Sequence, residues 1–425
     1  MATLYRGGDV AAEDADALME ADVLVEGDVI AQVGKGLEAP EGAAVVECAG
    51  KIVMPAMFDV HVHLREPGQE GKETIRTGSE AAINGGVTGI VAMPNTIPAI
   101  DNGGMIQAVL DIAESEAGIT VHTTGCITKD RAGKELAEIA DMRAKGAVMI
   151  TDDGSPVGNP LVLRRALEYA REFDLIVASH CETMELSGSG AMNEGTVSYK
   201  LGLAGWPACS EEICLDRDIR LAQYTGSHVH IQHVTTARGM ETIRRFKEDG
   251  VRVTCEVSPH HLIFNEAHVG EYDTHYKMNP PLRTAEDNAR LLDGLREGVF
   301  DVIATDHAPH TAFEKRQDFA SAPFGITGLE TALPSLYHYF VKEGTLGWDL
   351  IVKRYSAEPR RLLGLDAVSI EQGQRAELLV FDPARETVFT KEFMKSKSSN
   401  TPFLDQALSG MVVHVRNGEE VLIDR

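Results

Sequence analysis

Eight apolar, strand-like runs recur through the middle of the chain, at about residues 57–63, 87–94, 118–126, 146–151, 175–180, 228–234, 252–257 and 301–305. Helix-like text fills most of the gaps: "GGMIQAVLDIAESEAG", "PLVLRRALEYAREFD", "SEEICLDRDIRLAQYTG" and "TARGMETIRRFKEDG". The third ends on a glycine just past its last apolar residue, a helix stop signal. Strands that alternate with helices lie parallel, and eight such units over roughly 300 residues predict a (β/α)8 TIM-like barrel, an α/β fold. No Gly-x-Gly-x-x-Gly turn follows the first run, which disfavours a dinucleotide-binding sheet.

The two ends read differently. "ADVLVEGDVIAQVGKGL" and "AAVVECAGKIVMP" near the start, and "AELLVFDP" and "GMVVHVRNGEEVLIDR" near the finish, are short strands broken by turn residues, with Asn-Gly as a hairpin turn. They predict one small β-sandwich-like domain built by both termini, residues 1–53 plus 365–425, beside a catalytic barrel over 54–364.

Composition narrows the function classes. A formal charge of −25 argues against nucleic acid as a partner, since phosphate binding wants basic patches. No long uncharged apolar run could span a bilayer, so no membrane partner is expected. The six cysteines (48, 126, 181, 209, 214 and 255) contain no C-x-x-C pair. Together with a start that lacks a signal-peptide pattern, they fit buried thiols in a reducing cytoplasm.

A barrel of this kind carries its chemistry at the C-terminal ends of its strands. The runs here end "DVHVHLR", "IVAMPN", "VMITDDG", "IVASHCE", "HVHIQHV" and "VIATDHAPH", with His, Asp or Asn where the apolar text stops. In the first, His61 and His63 share one face of a strand, about 7 Å apart. Core histidines would have no reason to gather at one end of the strands. The ligand inventory is His61, His63, one of Asp152 and Asp153, His180, a histidine of the sixth strand, and Asp306. Nitrogen and carboxylate donors without thiolates suit zinc or a similar divalent metal, and suit calcium or magnesium poorly. Six donors exceed a closed four-ligand site and point to two metals with open positions, which is hydrolytic chemistry.

Other histidines have plainer readings. His228 and His230 lie earlier in the sixth run than His233 and read as packing or hydrogen-bonded support. His260 and His261 are adjacent; in a strand at most one could face the site, and they read as hydrogen-bonded support. Cys181 follows His180 and reads as a buried thiol. His122, His268, His275, His338 and His414 read as surface or core. "TDDGSPVGNP" and "PHTAFEKRQDFASAP" read as mobile polar loops covering the site.

The motifs "DVHVHLREPG", "AMPNT", "TDDG", "SHCE", "QHV", "EVSPHHL", "KMNPPLR", "ATDHAPH" and "PFGITGLET" together resemble the class I, longer bacterial type of dihydroorotase, in the amidohydrolase superfamily. The similarity runs from about residue 50 to the C-terminus. It implies a reversible closure of N-carbamoyl-L-aspartate to L-dihydroorotate in pyrimidine biosynthesis, with two zinc ions per chain. His61 and His63 would hold one, His180 and His233 the second, with Asp153 bridging and Asp306 serving as ligand and proton carrier. Substrate contacts would come from His63, Arg65, Asn95, Asn279, His310, Phe324 and Gly325, with Arg65 gripping a carboxylate through its planar fork. Asp152 would then be a loop or hydrogen-bonding residue.

Hydantoinases place a carboxylated lysine at the end of the fourth strand. Here Lys145 stands at the wrong end of that run, which counts against them. Allantoinase or a related cyclic amidase, sharing the first-strand motif, is the alternative within the class. A catalytically silent scaffold for aspartate transcarbamoylase is the alternative of another class, but such a chain would show gaps in the ligand set, and none is present. The resemblance also implies a homodimer, with association with aspartate transcarbamoylase known in such proteins.

Overall fold

The computed structural model describes residues 2–425 except 14 and 16. Its central feature is a closed ring of eight parallel strands: Met57–Val62, Val87–Ala92, Thr120–Thr123, Met149–Ile150, Ile176–Ser179, Val229–Ile231, Val253–Val257 and Val302–Ile303. Each falls within one of the eight apolar runs of the sequence. Neighbours pair in parallel around the ring, with single bridges from Gly125 to Ile150 and from Val62 to His307 completing it.

Local signals set the crossover helices. Asn102 caps Gly103–Glu116 by accepting from the Met105 N–H, and Thr236 caps Ala237–Glu248 by accepting from the Gly239 N–H. Pro160 opens Pro160–Arg171, where its missing N–H has no helical partner to lose. Cys209–Thr225 stops at Gly226, whose φ of +68° is the left-handed cap a glycine adopts freely.

Inside the ring, Phe58, Val60, Val91, Met93, Met149, Ile176, Ala178, Val302 and Ala304 pack into one apolar cluster. Leu362, Leu363 and Leu365 pack against it from the segment after the barrel. Asp59 ties the ring's seam. Its buried carboxylate accepts from the backbone N–H of His61 (3.1 Å) and of Thr305 (3.1 Å), and from the Tyr355 hydroxyl (3.3 Å). First and last strands are thereby locked just where each delivers a polar residue to the rim.

Both termini contribute to a single eight-stranded sheet. Glu377–Val388 pairs antiparallel with Ile52–Pro55, which in turn runs parallel to Ala2–Val10. The Asn-Gly turn falls where the sequence places it: Asn417 pairs with Glu420, and Gly418 has φ +62°. A core of its own, including Tyr5, Val23, Val25, Ile30, Leu378 and Val380, lines this sheet. Between Glu377–Val388 and Ala407–Asn417 the chain leaves the sheet and returns to the barrel. There Ser396 and Lys397 bond Glu73, and Lys395 and Ser396 bond Glu330.

Candidate active site and metal centre

Alternation along a strand decides which side chains reach the barrel mouth. Inward-facing Val91 and Met93 continue to Asn95, Ile176 and Ala178 to His180, and Val302 and Ala304 to Asp306. Met149 and Thr151 continue to Asp153, which settles the neighbouring aspartates on physical grounds. Asp152 points the other way and accepts from the N–H groups of Ile127 (2.8 Å) and Thr128 (3.0 Å), pinning a loop. His233 breaks the alternation, because Gln232 holds the inner position; a φ of +30° at His233 brings its ring round. Arg65 and Asp306 also have positive φ, +61° and +46°. Non-glycine residues held there cost on the order of 1–3 kcal/mol each and gather at functional sites.

The four imidazoles and two carboxylates meet. His61 Nε2 is 3.5 Å from Asp153 Oδ1 and 3.5 Å from Asp306 Oδ1. His63 Nε2 lies 2.9 Å from Asp306 Oδ1 and 3.5 Å from Asp153 Oδ2. His180 Nδ1 and His233 Nε2 are 2.9 Å apart, each 3.8 Å from Asp153 Oδ1. Donor atoms form three compact triplets, His61–His63–Asp153, Asp153–His180–His233 and His61–His233–Asp306, each within 4.8 Å. Asp153 belongs to two of them.

This donor set fits divalent metal. Burial would hold Asp153 and Asp306 neutral, yet the surrounding histidines pull Asp153 well below, and Asp306 below, the usual carboxylate range. Burial likewise opposes charge on His61, but Glu256, Asp306 and Asp153 raise it well above the ordinary histidine range. Two ionised, buried carboxylates demand positive charge among them, and a cation at the imidazole nitrogens meets that demand. His61 Nε2, fully buried and facing both carboxylates, has no hydrogen-bond partner among the described residues.

Behind the donors stands a supporting layer in which the sequence reading gave Glu256 and Glu182 no role. Glu256 Oε1 is 2.5 Å from His61 Nδ1 and accepts the His233 N–H at 3.0 Å, while Oε2 is 3.0 Å from His230 Nε2. Glu182 lies 3.3 Å from His180 Nε2, and Asn95 Oδ1 is 2.8 Å from His63 Nδ1. Such partners fix which ring nitrogen faces the metal. Glu256→Gln is therefore expected to lower divalent-metal affinity by about 10–100-fold, read by competition with a chromophoric chelator. Unchanged affinity would reduce Glu256 to packing. His230 is the hydrogen-bonded support expected of it. His260 and His261 depart from the strand reading: Pro259 starts a short helix, Pro259–Ile263, and both rings are buried, with His261 Nε2 2.9 Å from the Pro280 carbonyl.

A cavity of about 150 Å³ opens over the cluster. It is lined by His63, Asp153, His180, His233 and Asp306 on one side and by Arg65, Asn95, Asn279, His310, Phe324 and Gly325 on the others; His61 lies beneath. Arg65 donates through Nε to the Pro309 carbonyl (3.2 Å), and its Nη2 is 3.4 Å from His310 Nε2. Burial, then the Arg65 charge, push His310 down to about 2, so it is a neutral imidazole. Gly325 meets the cavity as bare backbone at φ +144°: a Cβ there would lie 2.6 Å from the Ala308 oxygen and 2.8 Å from the His310 ring.

Along its whole length the chain is 44% identical to a dihydroorotase of Pelotomaculum thermopropionicum, covering 99% of that protein. The chain belongs to the dihydroorotase family. A dihydroorotase of Geobacter sp. (strain M21) is 43% identical over 97% of each chain. The Dihydro-orotase-like family model matches residues 50–239. The fold is shared more widely: an L-hydantoinase structure from Arthrobacter aurescens superposes with a TM-score of 0.87 at 23% identity, covering 99% of this chain and 96% of that one. As a dihydroorotase-family member the chain is a cyclic amidohydrolase acting on a small molecule. Lys145 caps the helix Ile139–Ala144 on the exposed surface, away from the cluster. No helix among the described residues is long and apolar enough to cross a membrane.

Proposed function

We propose that this chain catalyses the reversible cyclisation of N-carbamoyl-L-aspartate to L-dihydroorotate in pyrimidine biosynthesis, as a two-zinc enzyme of the cytoplasm. The barrel, residues 54–364, would carry the chemistry, with residues 1–53 and 365–425 as its β domain. The observation that carries this reading is a juxtaposition. A buried arginine and a neutral histidine face, across one small cavity, a cluster of four imidazoles and two carboxylates.

His61 and His63 would hold one zinc and His180 and His233 the other, with Asp153 shared and Asp306 at the rim. Zinc supplies Lewis acidity, polarising a carbonyl and acidifying water. The residues do the rest. Arg65, Asn95 and His310 hold the substrate carboxylate, which places the reacting amide over Asp306. In hydrolysis, Asp306 accepts the proton of the attacking water and returns it to the departing ring nitrogen. In cyclisation, it takes a proton from the carbamoyl nitrogen as the C–N bond forms and passes it to the departing hydroxyl, which leaves as water when the C–O bond breaks. Phe324 and Asn279 border the ring.

Turnover of dihydroorotate, allantoin and hydantoin, with and without added zinc, tests the reading. Dihydroorotate is expected to be the preferred substrate, with activity lost on chelation and restored by zinc. Preference for allantoin would overturn it. Zinc well below one per chain, together with no turnover, would favour a scaffold for aspartate transcarbamoylase. A homodimer is the expected assembly, and sedimentation checks it.

A further inference from the structure

The stretch 309–323, which reads as a mobile polar loop in the sequence, and the backbone that follows it to Gly325 are held down by two side chains that no catalytic role accounts for. Asn400, 2% exposed, comes from the segment that leaves the terminal sheet. Its Oδ1 accepts the His310 N–H at 2.9 Å, and its Nδ2 donates to the Ala308 and Gly325 carbonyls, both at 3.0 Å. Lys315, 4% exposed, ends the short helix Ala312–Lys315. Its Nζ donates to the carbonyls of Pro323 and Gly325, both at 3.0 Å. The Gly325 N–H is also taken, by the Lys277 carbonyl at 2.9 Å.

Two consequences follow. Gly325 has no backbone group left for a ligand, so its part in the cavity is shape, and polar recognition on this wall falls to His310. More important, His310 and residues 323–325 are spaced by a common strut. Asn400 reaches both, and Lys315 doubles its grip on Gly325.

We propose that Asn400 and Lys315 are positioning residues for substrate: they fix the gap between His310 and the Phe324–Gly325 backbone. Through Asn400 the β domain's connecting segment thereby sets how tightly the barrel grips the substrate. Neither residue lines the cavity over the cluster. Both therefore act through other groups, and the effect belongs in substrate binding. Misplacement of such groups by a fraction of an ångström to 1 Å is enough to matter, costing up to about a hundredfold.

This inference rests on the dihydroorotase reading for its kinetic arm only. Asn400→Asp keeps size and the acceptor for the His310 N–H but sets an oxygen against two carbonyls; Lys315→Met keeps the stem and removes the donor. Each is expected to raise KM for dihydroorotate by about tenfold or more, with kcat changed far less and zinc content unchanged. Hydrogen exchange is expected to quicken in peptides spanning 308–327 and nowhere else. If KM and local exchange match the parent in both variants, the proposal fails. It fails equally if exchange quickens across the whole barrel with a fall in melting temperature, which is a purely structural role. If the parent enzyme does not turn over dihydroorotate, the proposed function falls, and exchange at 308–327 alone decides the strut: quickened there it stands, unchanged it does not.

Discussion

Asp306→Asn should lower turnover of dihydroorotate by about 10³-fold or more while the chain stays folded, because the amide cannot accept a proton. The substitution keeps volume and leaves one oxygen for the contact to His63 Nε2, now 2.9 Å. What it removes is the basic oxygen. The parent carboxyl is ionised through neutral pH despite burial, since His61, His63 and His233 hold it below the usual range. Loss should appear in both directions of the reaction, as microscopic reversibility demands. Zinc content measured on the same sample separates two roles. Full zinc with no turnover identifies the proton carrier; loss of zinc identifies mainly a ligand. Near-normal rates would refute both.

Arg65→Ala should act by substrate. For dihydroorotate, kcat/KM is expected to fall about a hundredfold or more, the equivalent of ~3 kcal/mol for removing one partner of a desolvated charge pair. A neutral cyclic imide, which has no carboxylate to hold, should lose only a few-fold. Arg65 has a second duty, bonding the Pro309 carbonyl beside His310, so some common loss on both substrates is expected. Equal losses would make the arginine structural.

Much of this was legible in the sequence because the physics that fixes it is local. Apolar runs separated by capped helices dictate the ring, and inward rows that end in His or Asp announce the rim. The choice between Asp152 and Asp153 was not legible: counting by twos reaches Asp153 only once Met149 is known to face inward. The unreadable parts depend on long-range neighbours. Glu256 reads as one more acidic residue in "VTCEV"; only the closure of the ring sets it against His61, 195 residues away. Asn400 lies in polar text far from His310 in sequence, and nothing local marks it. His261 gives the hydrogen-bonded support expected of the pair, through the Pro280 carbonyl, but the proline before the two histidines starts a helix, so strand alternation does not set their directions. His233 escaped the parity rule because its backbone turns left-handed.

The most direct test of the paired-cation cluster is diffraction from crystals of the zinc-loaded enzyme on either side of the zinc absorption edge. Two anomalous peaks are predicted at the mouth of the barrel, one beside His61 and His63 and one beside His180 and His233, with Asp153 within about 2.0–2.2 Å of both. An active enzyme whose crystals show no zinc at these histidines would contradict the account.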